Sequence, residues 1–233
     1  MIDKNRTRTL VVLSLGAGVQ SSTMALMAAK GDLPKVDCAI FADTMYENSA
    51  SYKYLKYLES LLPFPIYKVS KGNIKEDMLA ARGTTDFVVA PFYTQETISG
   101  KKGMIRRQCT SSYKIVPIQQ KIRELCGVGY GKHFPKDKYV EQWIGINFII
   151  PEKSACICCP FHDDKYWKNL KIKYPTEFAD AVALDKEIRT ISKDKNIKNY
   201  THRSCKPLDE VDFDPDKNQL DMFENECEGV CMI

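Results

Sequence analysis

The sequence predicts an α/β fold in which helices flank a parallel sheet and a cysteine-rich part follows. Apolar runs of strand length alternate with helical patterns in the first half of the chain. Strands that alternate with helices form parallel sheets with right-handed crossovers. Nine cysteines are many for 233 residues, and most of them lie in polar or turn-like segments. A chain of this length fits one domain with a small appendage.

The first predicted strand and helix enclose a short loop. Thr9–Ser14 is an apolar run that stops at a serine, which predicts a buried strand. A loop rich in Gly and Ser follows, and the helical pattern Ser21–Lys30 comes next and ends at Gly31. The hydroxyl and backbone N–H donors of the loop therefore lie at a helix N-terminus, where the helix dipole favours an anion.

Strands and helices continue to alternate. Val36–Phe41 is a second buried strand, Ser49–Leu62 has helical periodicity that stops before Pro63, and Ile66–Val69 is a short third strand. In parallel sheets, ligands bind beyond the carboxyl ends of the strands. Because the Gly/Ser loop and Asp43 both follow strand ends, we expect them to line one cleft.

The later part of the chain is less regular. Lys75–Arg82 predicts a short helix, and the turn residues of Gly83–Gly103 predict either a mobile lid or an ordinary solvated loop. The remaining predicted elements are the helix Ile115–Cys126, the strand Tyr139–Ile146, and the helices Lys165–Tyr174 and Thr176–Lys193, which Pro175 separates. After Asn196 the chain is expected to be irregular.

Composition and charge narrow the function classes. The net charge of +4 is too small to indicate nucleic-acid binding by itself. No apolar run reaches the roughly 20 residues of a membrane span, and the first residues lack the apolar core of a signal peptide. We therefore expect a cytoplasmic protein without a membrane partner. Disulfides are rare in that compartment, so the cysteines favour metal or redox use, with Cys38 and Cys126 as core residues.

The loop after the first strand is the candidate anion site. It is not a Walker A motif, because no Gly-Lys-Ser/Thr follows it. Gln20 is a poor ligand for Mg²⁺, which prefers charged oxygen ligands, but its amide can donate a hydrogen bond to an anion. The candidate contacts to a nucleotide are Ser14, Gly16, Ala17, Gly18, Gln20, Ser21 and Ser22, joined by Asp43 and Thr44 from the next strand end.

Four blocks of the sequence resemble the 3′-phosphoadenylylsulfate (PAPS) and adenylylsulfate (APS) reductases of the PP-loop adenine-nucleotide α-hydrolase superfamily. The loop resembles the PP-loop, Ser-Gly-Gly-x-Asp-Ser, with Gln20 at the Asp position, and its Gly-Val-Gln is similar to the Gly-Ile-Gln of PAPS reductases. Phe41–Tyr52, Cys109–Ile118 and Ser154–Pro160 resemble later blocks of the family in the same order. The resemblance implies a Rossmann-like (HUP, PP-loop) sheet and an adenine nucleotide ligand: PAPS, APS or ATP.

One departure concerns the arginines that bind the substrate's sulfate and phosphate in this family. In this family a strand ends in the pattern Trp-x-x-Gly-x-Arg. Gln142–Asn147 resembles that strand, but Asn147 stands at the arginine position. Arginine is the usual bidentate partner of such oxyanions. The basic side chains that remain nearby are Lys101, Lys102, Arg106, Arg107 and Lys114, of which the last three are the candidate nucleotide contacts.

The cysteines are candidate ligands of a metal or a cluster. Cys156-x-x-Cys159 can place two thiolates on one metal, the commonest local geometry for Zn and Fe–S ligation. By resemblance to the iron–sulfur APS reductases, Cys109 is a further ligand, and Cys205 is the first choice for the fourth. The resemblance favours a 4Fe–4S cluster, with zinc as the alternative, for which His162 could serve as a ligand. A third possibility is a metal that only folds the second half of the chain.

The C-terminal cysteines have a separate implied role. Sulfonucleotide reductases end in a Glu-Cys-Gly segment whose cysteine attacks the sulfur and holds it as a thiosulfonate, which thioredoxin cleaves. Glu226-Cys227-Glu-Gly229 is similar to it, so Cys227 and Cys231 are the candidate catalytic residues. The alternatives are that these two cysteines ligate a metal or lie in a disordered end.

Three functional hypotheses follow. The first is a thiol-dependent, PAPS reductase-like oxidoreductase that uses a thioredoxin-like reductant. The second is a PP-loop enzyme that uses ATP to modify a nucleic acid, as in thiolation or phosphorothioation. The third is a nucleotide-binding, metal-stapled subunit without catalysis. We expect residues 1–150 to form the nucleotide-binding α/β domain, residues 151–233 to form a cysteine-rich helical extension with a tail, and the protein to be a homo-oligomer.

Overall fold

A computed structural model of the protein describes residues 6–80, 90–105, 107–129, 131–145, 156–192 and 194–214. Its strands are β1 (Thr7–Ser14), β2 (Cys38–Ala42), β3 (Ile66–Val69), β4 (Tyr93–Glu96), β5 (Lys102–Met104), β6 (Lys138–Ile144) and β7 (Ile197–Tyr200). Its helices are α1 (Val19–Lys30), α2 (Ser49–Leu61), α3 (Ile74–Ala80), α4 (Val116–Leu125), α5 (Asp164–Lys173) and α6 (Pro175–Ile188), with a π-helical turn Thr110–Ile115 and a 3₁₀ turn Leu208–Glu210.

Four parallel strands form the main sheet, in the order β3-β2-β1-β6. Helices flank this sheet, which confirms the predicted α/β class with a parallel sheet. The chain moves from β1 outward through β2 to β3, and then returns to place β6 on the other side of β1. The direction of winding therefore reverses between β1 and β6, where open α/β sheets form a crevice at the strand ends.

Alternate residues of β1 and β2 enter different apolar layers. Val11 and Leu13 pack in one layer with Leu55 and Leu58 of α2. Val12 packs in the other layer, which includes Ile122 of α4. Successive side chains of a strand point to opposite faces, so a sheet that is covered on both sides needs continuous apolar runs. That requirement explains why these strands could be recognised in the sequence.

A second, antiparallel sheet has the order β5-β4-β7. It corrects two expectations, because the hairpin β4–β5 begins within the segment Gly83–Gly103 and ends at Met104, and because β7 follows Asn196. The strands have only three or four residues each and no run of apolar side chains. They are held by pairing between distant parts of the chain, which a local pattern does not reveal.

The largest core cluster lies beside the second sheet. It contains Trp167 and Leu170 of α5, Leu184 and Ile188 of α6, and apolar side chains from both halves of the sequence. Asp185 of α6 is fully buried in this region. Its Oδ1 accepts hydrogen bonds from the N and Oγ1 of Thr201, and its Oδ2 accepts from Arg189 and from the N of Leu208. The carboxylate thereby ties α6 to the chain that follows β7.

The turn before α4 is wider than a sequence pattern suggests. The predicted helix Ile115–Cys126 is preceded by the π-helical turn, in which the N–H of Val116 donates to the carbonyl of Ser111, five residues earlier. Pro117 has no N–H to donate, which favours an irregular turn at this point. Among the helices that the structure describes, none is long and apolar enough to cross a membrane.

Candidate functional site

The loop between β1 and α1 wraps around the start of the helix. The N–H of Gly16 donates to the Oγ of Ser21 (3.1 Å), and that hydroxyl donates to the carbonyl of Gly18 (3.4 Å). Gly18 is the N-cap residue of α1, and no side chain caps this helix end. The first turn of a helix leaves backbone N–H groups without intrahelical partners, so this end suits an anion.

Two non-glycine residues with left-handed backbone lie beside the strand ends. Ala17 has a φ of 54° in the loop after β1, and Met45 has a φ of 56° shortly after β2. Such a conformation costs an L-residue about 1–2 kcal/mol. Strain of this kind is concentrated at ligand sites, where the surrounding structure imposes it. Both strained residues therefore mark the carboxyl edge of the sheet as the candidate site.

The strands β1 and β6 approach each other closely at this edge. The Nε2 of Gln142 donates to the Oγ of Ser14 over 2.7 Å. Just after β6, a Cβ on Gly145 would lie 2.9 Å from the Cβ of Gln20 and 3.1 Å from the N of Ser21. Only glycine therefore allows the chain after β6 to contact the start of α1, and the contact closes one side of the crevice.

Asp43 is held in the turn that follows β2. Its Oδ1 accepts hydrogen bonds from the N–H of Met45 (2.7 Å) and the hydroxyl of Tyr52 (2.8 Å). Burial and the hydrogen bond to Asp43 raise the pKa of Tyr52 above its usual range. One carboxylate oxygen of Asp43 therefore shapes the turn, as a turn-forming carboxylate does.

Thr44 connects the end of β2 to the cysteines. It is buried, with 1% of its surface exposed, and its hydroxyl donates to Oε1 of the buried Glu47 (2.9 Å). The Sγ of Cys156 lies 3.4 Å from the same hydroxyl oxygen and 3.9 Å from Oε1 of Glu47. The Thr44 side chain thus faces the cysteines, and the cysteine segment lies directly against the strand end.

The segment Cys156–His162 forms a tight turn against that strand end. The N–H of Cys159 donates to the carbonyl of Cys156 (2.9 Å), and the N–H of His162 donates to the carbonyl of Cys159 (3.1 Å). The Nε2 of His162 is 2.9 Å from the carbonyl of Cys156, and its ring stacks on Tyr166 at 3.4 Å. His162 therefore braces the turn.

The thiols of this turn influence one another. Burial raises the pKa of Cys156 and of Cys158 well above the usual thiol range. The charge of Cys159 raises both pKa values further, and Cys109 adds to the effect on Cys158. Cys109, just before the π-helical turn, has a pKa that burial raises and that the positive charges of Arg107 and Lys114 lower. The structure thus brings Cys109, Cys156, Cys158 and Cys159 into one neighbourhood with two basic side chains.

Cys205 has its contacts elsewhere. Its Sγ lies 3.9 Å from the carbonyl of Thr94 in β4, and its φ is 55°. Burial raises the pKa of its thiol, and the charge of Lys102 lowers it. These contacts place Cys205 at the second sheet, so the expected role as fourth ligand stays a prediction without support from its surroundings.

The cysteine neighbourhood has the donor chemistry of a thiophilic metal site. Thiolate sulfur is the preferred ligand of zinc and of iron–sulfur clusters, and a bound cation would offset the mutual effect of the thiols on their pKa values. Within the ranges that the structure describes, however, no three His, Cys, Asp or Glu side chains are arranged to hold a metal ion. The residues therefore fit such a group in kind but are not arranged as a coordination sphere.

Three of the predicted site residues lie outside the described residues: Arg106, Cys227 and Cys231. A cavity of about 230 Å³ lies between α4 and β6, and its lining includes Gln142, the partner of Ser14.

Comparison with known proteins gave no match to the chain, either among family models, among curated proteins or among solved structures.

The site includes three residues that the sequence pattern does not indicate as site residues. Gln142 and Gly145 close the crevice between β1 and β6, and the buried Glu47 accepts the hydrogen bond from Thr44. A glycine that follows a strand is a signal of close backbone approach and could have indicated Gly145. Gln142 and Glu47 carry no such local signal, because their roles depend on neighbours distant in sequence.

Proposed function

We propose that the protein binds an adenine nucleotide at the carboxyl ends of β1 and β6 and carries out thiol-dependent sulfur chemistry on it, as a PAPS reductase-like enzyme. The observation that carries this proposal is the contact between Cys156 and Thr44, with 3.4 Å between Sγ and Oγ1. It joins a group of buried and half-buried thiols to the strand end that borders the candidate nucleotide cleft. A nucleotide site and a sulfur-containing site are thus neighbours in one molecule.

The nucleotide part of the proposal rests on the start of α1. The uncapped helix end, the strained Ala17 and the Ser14 hydroxyl all lie beside the crevice at the winding reversal. Gln20 provides an amide where a magnesium ligand would need to be charged. The site therefore suits a sulfonucleotide such as PAPS or APS better than Mg-ATP. Arg107 and Lys114, whose charges lower the pKa of the Cys109 thiol, supply positive charge beside the cysteines.

The sulfur chemistry would take place in two steps. The thiolate of Cys227 attacks the sulfur of the sulfonucleotide, the S–O bond to the phosphate breaks, and the adenosine phosphate leaves with that electron pair. A thioredoxin-like dithiol then attacks the cysteine sulfur of the thiosulfonate. Sulfite leaves with the electron pair of the S–S bond, and a mixed disulfide forms between Cys227 and the dithiol. The second thiol then attacks this mixed disulfide, so that Cys227 leaves as a thiolate and the dithiol ends as a disulfide. Cys231 is the second candidate for the nucleophile.

A metal group is part of the same proposal. Cys109, Cys156 and Cys159 would hold a 4Fe–4S cluster or, in the alternative, zinc, and Cys158, which lies beside them, takes the place of Cys205 as the candidate for the fourth ligand. When bound, the group would offset the negative charge of the thiolates next to the strand end of Thr44. The chain's own residues hold the turn in place through the hydrogen bonds between Cys156, Cys159 and His162.

A panel of PAPS, APS and ATP, each with reduced thioredoxin, tests the proposal. We expect sulfite release from PAPS or APS and none of it in Cys227→Ser, whereas Cys126→Ser, at the opposite end of the sheet, keeps the activity. Equal sulfite release by Cys227→Ser and the parent protein would contradict the mechanism. Pyrophosphate release from ATP would favour the nucleic-acid modification enzyme, and nucleotide binding without any turnover would favour a non-catalytic subunit.

A further inference from the structure

The second sheet has a basic row of side chains on one face. Gln95 of β4 is paired with Lys102 of β5 and with Lys198 of β7. Directly paired residues of an antiparallel sheet point to the same face. Both lysines are exposed, and they flank Gln95 across three strands. Because neighbouring strands lie about 4.8 Å apart, the two lysine positions are separated by roughly 10 Å.

An apolar row lies next to the basic row. Tyr93 is paired with Met104 and with Tyr200, two residues along from Gln95 and therefore on the same face. Met104 has 41% of its surface exposed, Tyr93 is half-buried, and Tyr200 is buried. The face thus has lysine ammonium groups beside the partly exposed side chains of Tyr93 and Met104.

The tip of the β4–β5 hairpin extends this face. Ile98, at the tip, has 79% of its surface exposed, the largest value among the exposed large apolar side chains that the structure describes. The N–H of Thr97 donates to the carbonyl of Asn196 (2.6 Å), which joins the tip to the turn before β7. This junction brings Lys101 and Lys195, both exposed, to the same end of the sheet.

The lysines of this face are not neutralised by acidic partners. Within the described residues, Lys101, Lys102, Lys195 and Lys198 form no ion pair, and Lys102 donates a single hydrogen bond to the carbonyl of Ser204 (2.9 Å). The acidic groups on these turns are Glu96 and Asp194, which bond to Ser99 and to the N–H of Asn196. The face therefore keeps a positive excess.

We propose that this face, formed by Gln95, Lys102 and Lys198 with Tyr93 and Met104, and the hairpin end beside it, with Lys101, Lys195 and Ile98, bind a single-stranded nucleic acid. Such surfaces have two components. Lysines contact the phosphate backbone, and apolar or aromatic side chains pack against the bases. Gln95 adds an amide that can bond to bases between the two lysines. A lipid surface would use the lysines and Ile98 but would offer no base edge to the amide of Gln95. This inference does not depend on the proposed nucleotide site.

Fluorescence anisotropy tests the proposal with labelled 20-nucleotide single strands of DNA and RNA. The 233-residue chain is titrated at a series of salt concentrations. The test variant is Lys102→Glu/Lys198→Glu. The matched control, Lys53→Glu/Lys56→Glu, changes the same charge on the exposed side of α2. A second variant, Lys102→Gln/Lys198→Gln, removes the charges without reversing them, and circular dichroism verifies the fold of all three.

We expect the test variant to bind at least about tenfold more weakly than the control at the same salt concentration. Its slope of log K against log salt should be smaller by about 1.4, since each lost phosphate contact on a single strand contributes about 0.7. The glutamine variant should lie between the two. Absence of binding by the parent protein, or an equal loss in the control, would overturn the proposal. Binding to anionic phospholipid vesicles that the test variant alone loses, without binding to oligonucleotides, would also overturn it and identify a lipid surface.

Discussion

Gln142 donates a hydrogen bond to Ser14, 2.7 Å from Nε2 to Oγ, and so joins β6 to β1 where the winding of the main sheet reverses. A serine hydroxyl has one proton to donate as well as lone pairs to accept. Because the Ser14 oxygen accepts the hydrogen bond from Gln142, the hydroxyl proton of Ser14 points away from Gln142. The crevice therefore has a hydroxyl donor held in position by the neighbouring strand.

Gly145 provides the first prediction. In Gly145→Ala the new Cβ would meet Gln20 at 2.9 Å and the N of Ser21 at 3.1 Å. We expect the free energy of unfolding to fall by about 1–3 kcal/mol, the usual cost of overpacking, and the nucleotide affinity to fall with it. Urea unfolding and a nucleotide titration measure both effects. The control is Gly129→Ala, whose Cβ would meet nothing closer than 4.0 Å; equal stability of the two variants would contradict the tight contact.

The cysteine neighbourhood leads to the second prediction. Cys159→Ser should lower the metal-to-protein ratio after anaerobic purification, because Cys159 lies close enough to Cys156 and Cys158 to act on both thiols. Cys205→Ser should leave the ratio unchanged, because its sulfur contacts the carbonyl of Thr94 instead. Elemental analysis with visible absorption measures the metal, and zinc in a colourless protein would decide against the 4Fe–4S cluster. The assignment fails if Cys205→Ser loses as much metal as Cys159→Ser.

The buried carboxylate of Asp185 provides the third prediction. Its removal in Asp185→Ala leaves Arg189, Thr201 and the N–H of Leu208 without their acceptor. We expect a loss of about 3–5 kcal/mol in the free energy of unfolding, as for other buried ion pairs that lose one partner. Asp209→Ala, which breaks an exposed pair with Lys186, should cost less than about 1 kcal/mol. Similar losses in the two variants would show that Asp185 does not hold α6.

The fourth prediction concerns acid stability. Burial tends to raise the pKa of Asp164, but hydrogen bonds from His202 and Arg203 outweigh that effect and lower it. A carboxyl whose pKa is lowered by folding stabilises the folded state above its unfolded pKa of about 3.9. That stabilisation is lost as the pH falls through the folded pKa.

Denaturant unfolding between pH 7 and pH 3 measures this contribution. The free energy of unfolding of the parent protein should fall below about pH 4, and the fall should be shallower in Asp164→Asn. If the free energy of unfolding falls equally with pH in the two proteins, Asp164 contributes nothing to the pH dependence.

The main sheet could be predicted from sequence because its information is local. β1 and β2 contain apolar runs, and Gly31 and Pro63 mark helix ends in the sequence itself. The structure places the end of the first helix at Lys30, with Gly31 in the left-handed conformation expected of a C-cap. The loop at Ser14 and the turn at Asp43 follow from the ends of these elements.

The second sheet and parts of the site could not be predicted, because they depend on contacts between distant residues. β4 and β7 have four residues each, and their pairing joins Thr94 to Asn199. Glu47 looks like a surface carboxylate in sequence, but it is buried against Thr44 and Cys156. Cys205 looked suitable as a ligand because it lies among polar residues, and only the fold shows that it contacts the second sheet.

The pairing of β1 with β6 has a consequence for how the protein folds. The first strand of the chain receives its second neighbour only when Lys138–Ile144 is available, and β4 must wait still longer for β7. Contacts between residues so distant in sequence slow folding, because the intervening chain must be ordered first. During synthesis, β1 can pair with β2 alone, with its other edge still open. We therefore expect the nascent chain to complete its sheets only after Ile197–Tyr200 has been synthesised and to need protection from aggregation until then.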